Sequence, residues 1–114
     1  MPAVQMGTLV PDALLEITRK GLGMTLVTEN DGKLCGVFTD GDLRRTLDSQ
    51  QDIHSLAIDS VMTRSFKSVQ GSTLAAAALK TMEDTKISAL AVVDGNGYPL
   101  GVVHLHDLIQ AGLA

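Results

Sequence analysis

The segment Gly36-Val37-Phe38-Thr39-Asp40-Gly41-Asp42-Leu43 sets a hydroxyl and a carboxylate three residues apart, where an apolar run gives way to a helix-forming one. A helix start offers free N–H groups and the positive end of the dipole, and both attract phosphate. Thr39 can donate to such an anion, and Asp42 can accept from the two hydroxyls of a ribose. The glycines keep the approach open. Ligands that satisfy both ends are headed by nucleotides. The competing reading is a capped helix start, in which Thr39 or Asp40 satisfies the first-turn N–H groups. The two roles can coexist.

Other residues were weighed for chemistry in the same way. Asp40 and Asp42 could form a carboxylate pair, but no nucleophile or partner base stands at a matching position, so catalysis is not expected. His104 and His106, two apart on a strand, would share one face, with Asp107 as a third metal ligand. Yet His104 ends a strand and His106 opens a helix, which breaks the alternation. A structural role, or contact with a phosphate or sugar acid, is therefore preferred to metal binding. Arg44-Arg45 and Arg19-Lys20 read as solvated helix faces, although an arginine one turn into a helix can reach an anion bound at its start. Met24, Met62 and Met82 read as core, with Met24 and Met62 placed to wall a base pocket. Cys35 reads as a small buried hydrophobe.

The elements that must position these residues occur twice. Sliding the chain along itself by 65 positions superimposes Thr8-Leu9 on Thr73-Leu74, Ala13-Leu14 on Ala78-Leu79, Val27 on Val92, Gly32 on Gly97, Gly36-Val37 on Gly101-Val102 and Asp42-Leu43 on Asp107-Leu108. Each copy reads as helix, strand, turn, strand, helix, and presents an apolar face that it cannot bury alone. In the first copy Thr8 is the expected N-cap of a helix over 9–20, with Leu9, Ala13, Leu14 and Ile17 on one stripe. Gly21 is suited to its left-handed end. Strands over 24–28 and 34–38 flank a turn at Asn30-Asp31-Gly32, and a helix over 40–47 follows. The second copy repeats this with Thr73 as cap, strands over 89–93 and 100–104, a turn at 94–97 and a helix over 105–111. A helical turn at 52–56 and a strand over 66–69 are expected between them. The domain reading is repeat one over 1–48, a linker over 49–60 and repeat two over 61–114. Repeat one is expected to be trimmed at its N-terminus, since it has no counterpart of Val61-Met62.

The pattern Gly-x-x-Thr-x-x-Asp closing a strand–helix unit, with Val61-Met62-Thr63 leading into the second, resembles the cystathionine-β-synthase (CBS) domain family over essentially the whole chain. That resemblance implies an α/β sandwich, an α+β fold of two repeats about a pseudo-twofold axis. It also implies self-association as a homodimer or higher, and nucleotides bound in clefts between repeats. Gly23-Met24-Thr25, Phe38 to Arg45 and His104-Leu105-His106-Asp107-Leu108 further resemble the C-terminal region of arabinose-5-phosphate isomerases, enzymes of the 3-deoxy-manno-octulosonate (Kdo) branch of lipopolysaccharide synthesis. The implied role is a regulatory module of an isomerase whose catalytic domain lies outside these residues, with AMP, ATP or CMP-Kdo as candidate ligand and no required cofactor. The candidate ligand set is Met24, Thr25, Thr39, Asp42, Met62, Thr63, Ser88, His104 and Asp107. His104 stands where the second motif would have Thr, so unequal clefts are expected. The alternative is an architectural dimerisation module with empty clefts.

Composition sets the outer limits. The 114 residues are 45% hydrophobic and only 3% aromatic, which is a globular composition with an aliphatic core. A formal charge of −4 argues against nucleic acid or an anionic membrane as partner. The single cysteine forms no intrachain disulfide and points to a reducing, cytoplasmic compartment. No apolar run approaches the roughly 20 residues that span a bilayer, and no secretory signal pattern opens the chain.

Overall fold

The computed structural model describes residues 3–20, 24–71, 75–87 and 89–110, and the 65-residue repeat reappears in it element by element. The chain divides into two units, Pro2–Phe66 and Lys67–Ala114. The first holds β1 (Ala3–Gln5), α1 (Val10–Lys20), β2 (Met24–Thr28), β3 (Leu34–Thr39) and α2 (Asp40–Asp48). The second holds β4 (Ser68–Gln70), α3 (Ala75–Thr85), β5 (Ala89–Val93), β6 (Pro99–His104) and α4 (Leu105–Gln110). Each unit is a three-stranded sheet, β1-β2-β3 or β4-β5-β6. The first pair of strands is parallel, joined through a crossover helix, and the second is an antiparallel hairpin. The expected α/β architecture of two repeats, each a small sheet with helices, is the observed one.

The copies agree in detail. Met24 faces Thr39 across the first hairpin as Ala89 faces His104 across the second, and both hairpins shift register before their turn, at Val27/Thr28 and Val92/Val93. The turns close on Gly32 and Gly97, at φ +93° and +89°, a conformation that glycine adopts without Cβ strain. In the second turn the Asp94 carboxylate accepts from the Asn96 and Tyr98 N–H groups.

The first core is Val10, Ala13, Val27, Phe38 and Ile58, with Val4, Met6, Leu14, Cys35, Leu43, Ile53, Leu56, Val61 and Met62 packed against it. Five of these come from the polar-looking stretch after α2. That stretch contains two short 3-10 turns, Ile53–Ser55 and Ile58–Ser60; the first was expected and the second was not. The backbone explains why the stretch stays in place. Ile58 N–H donates to the Thr8 carbonyl, Val10 N–H donates to the Leu56 carbonyl, and Val37 and Thr63 exchange two hydrogen bonds. Residues 61–66, aligned with the second repeat by sequence, thus pack on the first sheet.

This docking corrects the expected start of α1. The helix begins at Val10, and the Leu9 carbonyl accepts from Ala13 N–H, so Leu9 rather than Thr8 occupies the capping position. Thr8 cannot serve there because its backbone is bridged to the docked stretch, whose Leu56 carbonyl takes over one first-turn donor. Leu9 is 42% exposed, and Val10 takes its place on the buried stripe. The predicted strand over 66–69 lies at Ser68–Gln70, where the parallel register with Ala91–Val93 puts it. The caps assigned to Thr73 and the helix end assigned to Gly21 lie outside the described residues.

Candidate functional site

Thr39 ends β3 and caps α2. Its hydroxyl accepts from Asp42 N–H at 3.3 Å, and the Asp42 carboxylate reaches back to Thr39 N–H at 2.9 Å, a complete capping box. Asp42 is only 3% exposed, and its carboxylate is fully engaged. Oδ2 also accepts from the Thr39 hydroxyl at 3.1 Å, and Oδ1 accepts from the Thr63 hydroxyl at 2.8 Å and from the Arg45 guanidinium. Four donors match the roughly four acceptor positions of a carboxylate. The side chain of Arg45 is 71% exposed. The Asp42 carbonyl accepts from the buried Thr46 hydroxyl at 2.8 Å.

The structure therefore brings Thr39, Asp42 and Thr63 into one network. Sequence reasoning treated Arg45 as a face residue and left it out of the site; its signal was the i, i+3 spacing from Asp42. Met24 is buried on β2, paired across the sheet with Thr39. Met62 lies over Gly36, so closely that a Cβ there would be 2.5 Å from the Met62 sulfur. Gly36 is thus needed for space. Thr25 is completely buried, and its hydroxyl has no hydrogen-bond partner among the described residues. Cys35 donates to the Val27 carbonyl, and burial pushes its thiol pKa up, consistent with an unreactive packed side chain.

In the second unit His104 ends β6 at the register of Thr39. Its Nε2 is buried and has no partner among the described residues. Ser88 and the side chain of Asp107 lie outside the described residues, so nothing further is placed around His104 from the expected set. His106 is exposed. No group of three His, Cys, Asp or Glu side chains is arranged to hold a metal among the described residues, and no helix there is long and apolar enough to cross a membrane.

The network can hold polar ligands by exchange. A hydroxyl reaches the Asp42 carboxylate only by replacing one of its four donors. The solvated Arg45 is the cheapest to displace, since exposed ion pairs contribute roughly 0–1 kcal/mol. Once released, a guanidinium one turn into α2 is free to pair with an anion. An anion placed at the helix start without that exchange would meet the carboxylates of Asp40 and Asp42.

The comparisons bear on this geometry. The CBS domain family matches residues 1–49 and 58–114. Arabinose 5-phosphate isomerase KdsD of Pseudomonas aeruginosa is 54% identical over 99% of this chain, and that of Escherichia coli K12 is 43% identical over 99%. The chain spans only 35% and 34% of those relatives. Among solved structures, a CBS domain protein from Pyrobaculum aerophilum complexed with AMP superposes at TM-score 0.86 and 19% identity, covering 97% of this chain and 88% of that one. CBSX2 in complex with AMP superposes at TM-score 0.81 and 28% identity, covering 97% and 86%.

Proposed function

The chain belongs to the CBS domain family, and from that premise we propose that it is a regulatory module that binds a nucleotide or nucleotide sugar and modulates an attached arabinose 5-phosphate isomerase domain. The observation that carries the reading is 54% identity along 99% of the chain to an isomerase of which it spans about a third. In this reading the chain itself performs no turnover. It works in the cytoplasm, within lipopolysaccharide synthesis, and self-associates. Its repeats span 1–48 and 61–114, joined by 49–60.

Ligand hydroxyls replace Arg45 on the Asp42 carboxylate, and the freed guanidinium together with the Thr39 hydroxyl takes the anionic end. Met24, Thr25, Met62 and Thr63 contribute from the first repeat, and Ser88, His104 and Asp107 from the second. AMP or ATP is the candidate supported by the AMP-bound CBSX2 structure. CMP-Kdo is the candidate supported by relatedness to the isomerases. Ligand binding changes the attached domain only to the extent that two arrangements of the protein bind the ligand differently.

The test is a thermal-shift panel with AMP, ATP, CMP, CMP-Kdo and arabinose 5-phosphate on the wild type, Arg45→Ala, Asp42→Ala and Asp107→Ala, each referred to its own unliganded melting temperature. A ligand at a hundredfold excess over its dissociation constant stabilises by about 2.7 kcal/mol. A shift produced by one nucleotide and lost in Arg45→Ala and Asp42→Ala supports the exchange. A flat panel at millimolar ligand supports the second reading, an architectural dimerisation module. That reading is favoured by the complete internal pairing of Asp42.

A further inference from the structure

The second unit contains an apolar cavity of about 180 Å3, lined chiefly by Val69, Gly71, Ala78, Val92, Val103 and Leu108. Shifting by 65 residues turns Ala78, Val92 and Val103 into Ala13, Val27 and Phe38, the residues that enclose the fully buried Ile58 in the first unit. Gly71 becomes Met6, which packs against that same core. The cavity is thus the counterpart of a filled seat.

Two further seats on the second unit are open in the same way. Gly36 is covered by Met62 at a distance that forbids a Cβ, whereas a Cβ on Gly101 would meet nothing within 4 Å. The edge of β3 at Val37 is bridged by Thr63; β6 has no such bridge among the described residues. Val102 sits opposite Ala91 as Val37 sits opposite Leu26, so its N–H and C=O face the sheet edge. The residues that fill the three seats of the first unit, Ile58, Met62 and Thr63, belong to one short stretch.

We propose that the second repeat is a receptor for one extended polypeptide segment. The segment inserts an aliphatic side chain into the cavity, covers Gly101 with a long apolar side chain four residues later, and pairs with Val102 one residue after that. Its source is flanking polypeptide of a longer protein carrying this chain. The first unit is filled in that manner, by the stretch flanking it, and the isomerase relatives extend well beyond the 35% that this chain spans. The cavity is smaller than the roughly 300–1,000 Å3 of small-molecule pockets. Its lining carries no charged side chain to hold an anion. Strand addition to an open edge with an apolar anchor is an established mode of peptide capture.

The test uses the whole chain with a copy of residues 50–63 appended after Ala114, where the 65-residue register continues without a gap. The extension raises the melting temperature by about 4–8 °C, the scale on which one well-packed segment stabilises a domain of this size. It also slows hydrogen exchange at the Val102 amide at least about tenfold. Both gains fall when the appended copy carries Ile58→Ala. Gly101→Val leaves the unextended chain unchanged, because the space there is open, and removes the gain from the extension. No rise together with an unchanged Val102 exchange rate would overturn the proposal. So would Val102 protection in the unextended chain that grows with concentration, which would make a second copy the occupant.

Discussion

The two repeats share strand registers, bulges and turns, yet the first is closed and the second is open. In the first, residues 53–63 fill the core with Ile58, cover Gly36 with Met62, bridge the β3 edge and give Asp42 a fourth donor through Thr63. In the second, Gly71 and Val103 replace Met6 and Phe38, a cavity remains, and His104 replaces the capping Thr39 with a buried ring nitrogen lacking a partner among the described residues. The difference teaches that a repeat of this size is completed by what docks on it as well as by its own five elements.

The largest effect should come from the filled seat. Ile58→Ala removes a fully buried side chain delivered by a stretch held only at a few backbone bridges. It should cost about 3–4 kcal/mol of unfolding free energy. Val103→Ala, on the wall of an existing cavity, should cost about 1 kcal/mol, because few atoms lose contact. Urea unfolding of both variants checks this, and equal losses would break the comparison between a closed and an open repeat.

The strand–helix junctions give the next contrast. Asp42→Ala strips four donors of their acceptor and should cost about 2 kcal/mol. In the second repeat the reverse change, His104→Thr, restores a capping hydroxyl and removes the buried Nε2. It should stabilise by about 1 kcal/mol. If His104→Thr destabilises instead, the ring nitrogen has a partner that the described residues do not show.

Much of this was legible in the sequence, and for identifiable reasons. The strands Met24–Thr28 and Ala89–Val93 fall where alternating β-branched and apolar residues between turn signals place them, and the 65-residue shift carries one prediction to the other. The Thr39–Asp42 capping box follows from residue type and spacing. The stretch after α2 was harder to read. It is polar on average, and its work is done by isolated residues, Ile53, Leu56, Ile58 and Met62, whose spacing follows neither a strand nor a helix period. Its docking also overturned Thr8 as cap, because local propensity gives no account of a carbonyl arriving from residue 56. Arg45 was missed as a partner of Asp42 for a related reason: exposed arginines on short helices are usually solvated, and only the geometry distinguishes this one.

The smallest contrast lies at the ends of the long helices. At the end of α3, Ile87 N–H donates to the Met82 carbonyl and Lys86 N–H to the Glu83 carbonyl, a Schellman arrangement that puts Lys86 at φ +58°. The first repeat has Gly21 at the matching position of the sequence. A left-handed conformation costs a side-chain-bearing residue about 1 kcal/mol, and glycine returns part of that gain through its freer unfolded state. Lys86→Gly should therefore stabilise by about 0.5 kcal/mol, and Lys86→Val, with a β-branched side chain at positive φ, should destabilise by about 1 kcal/mol or more. Thermal unfolding of the pair is sufficient, because the expected changes have opposite sign. A stabilising valine would mean that the α3 terminus is not held in the left-handed turn that its hydrogen bonds describe.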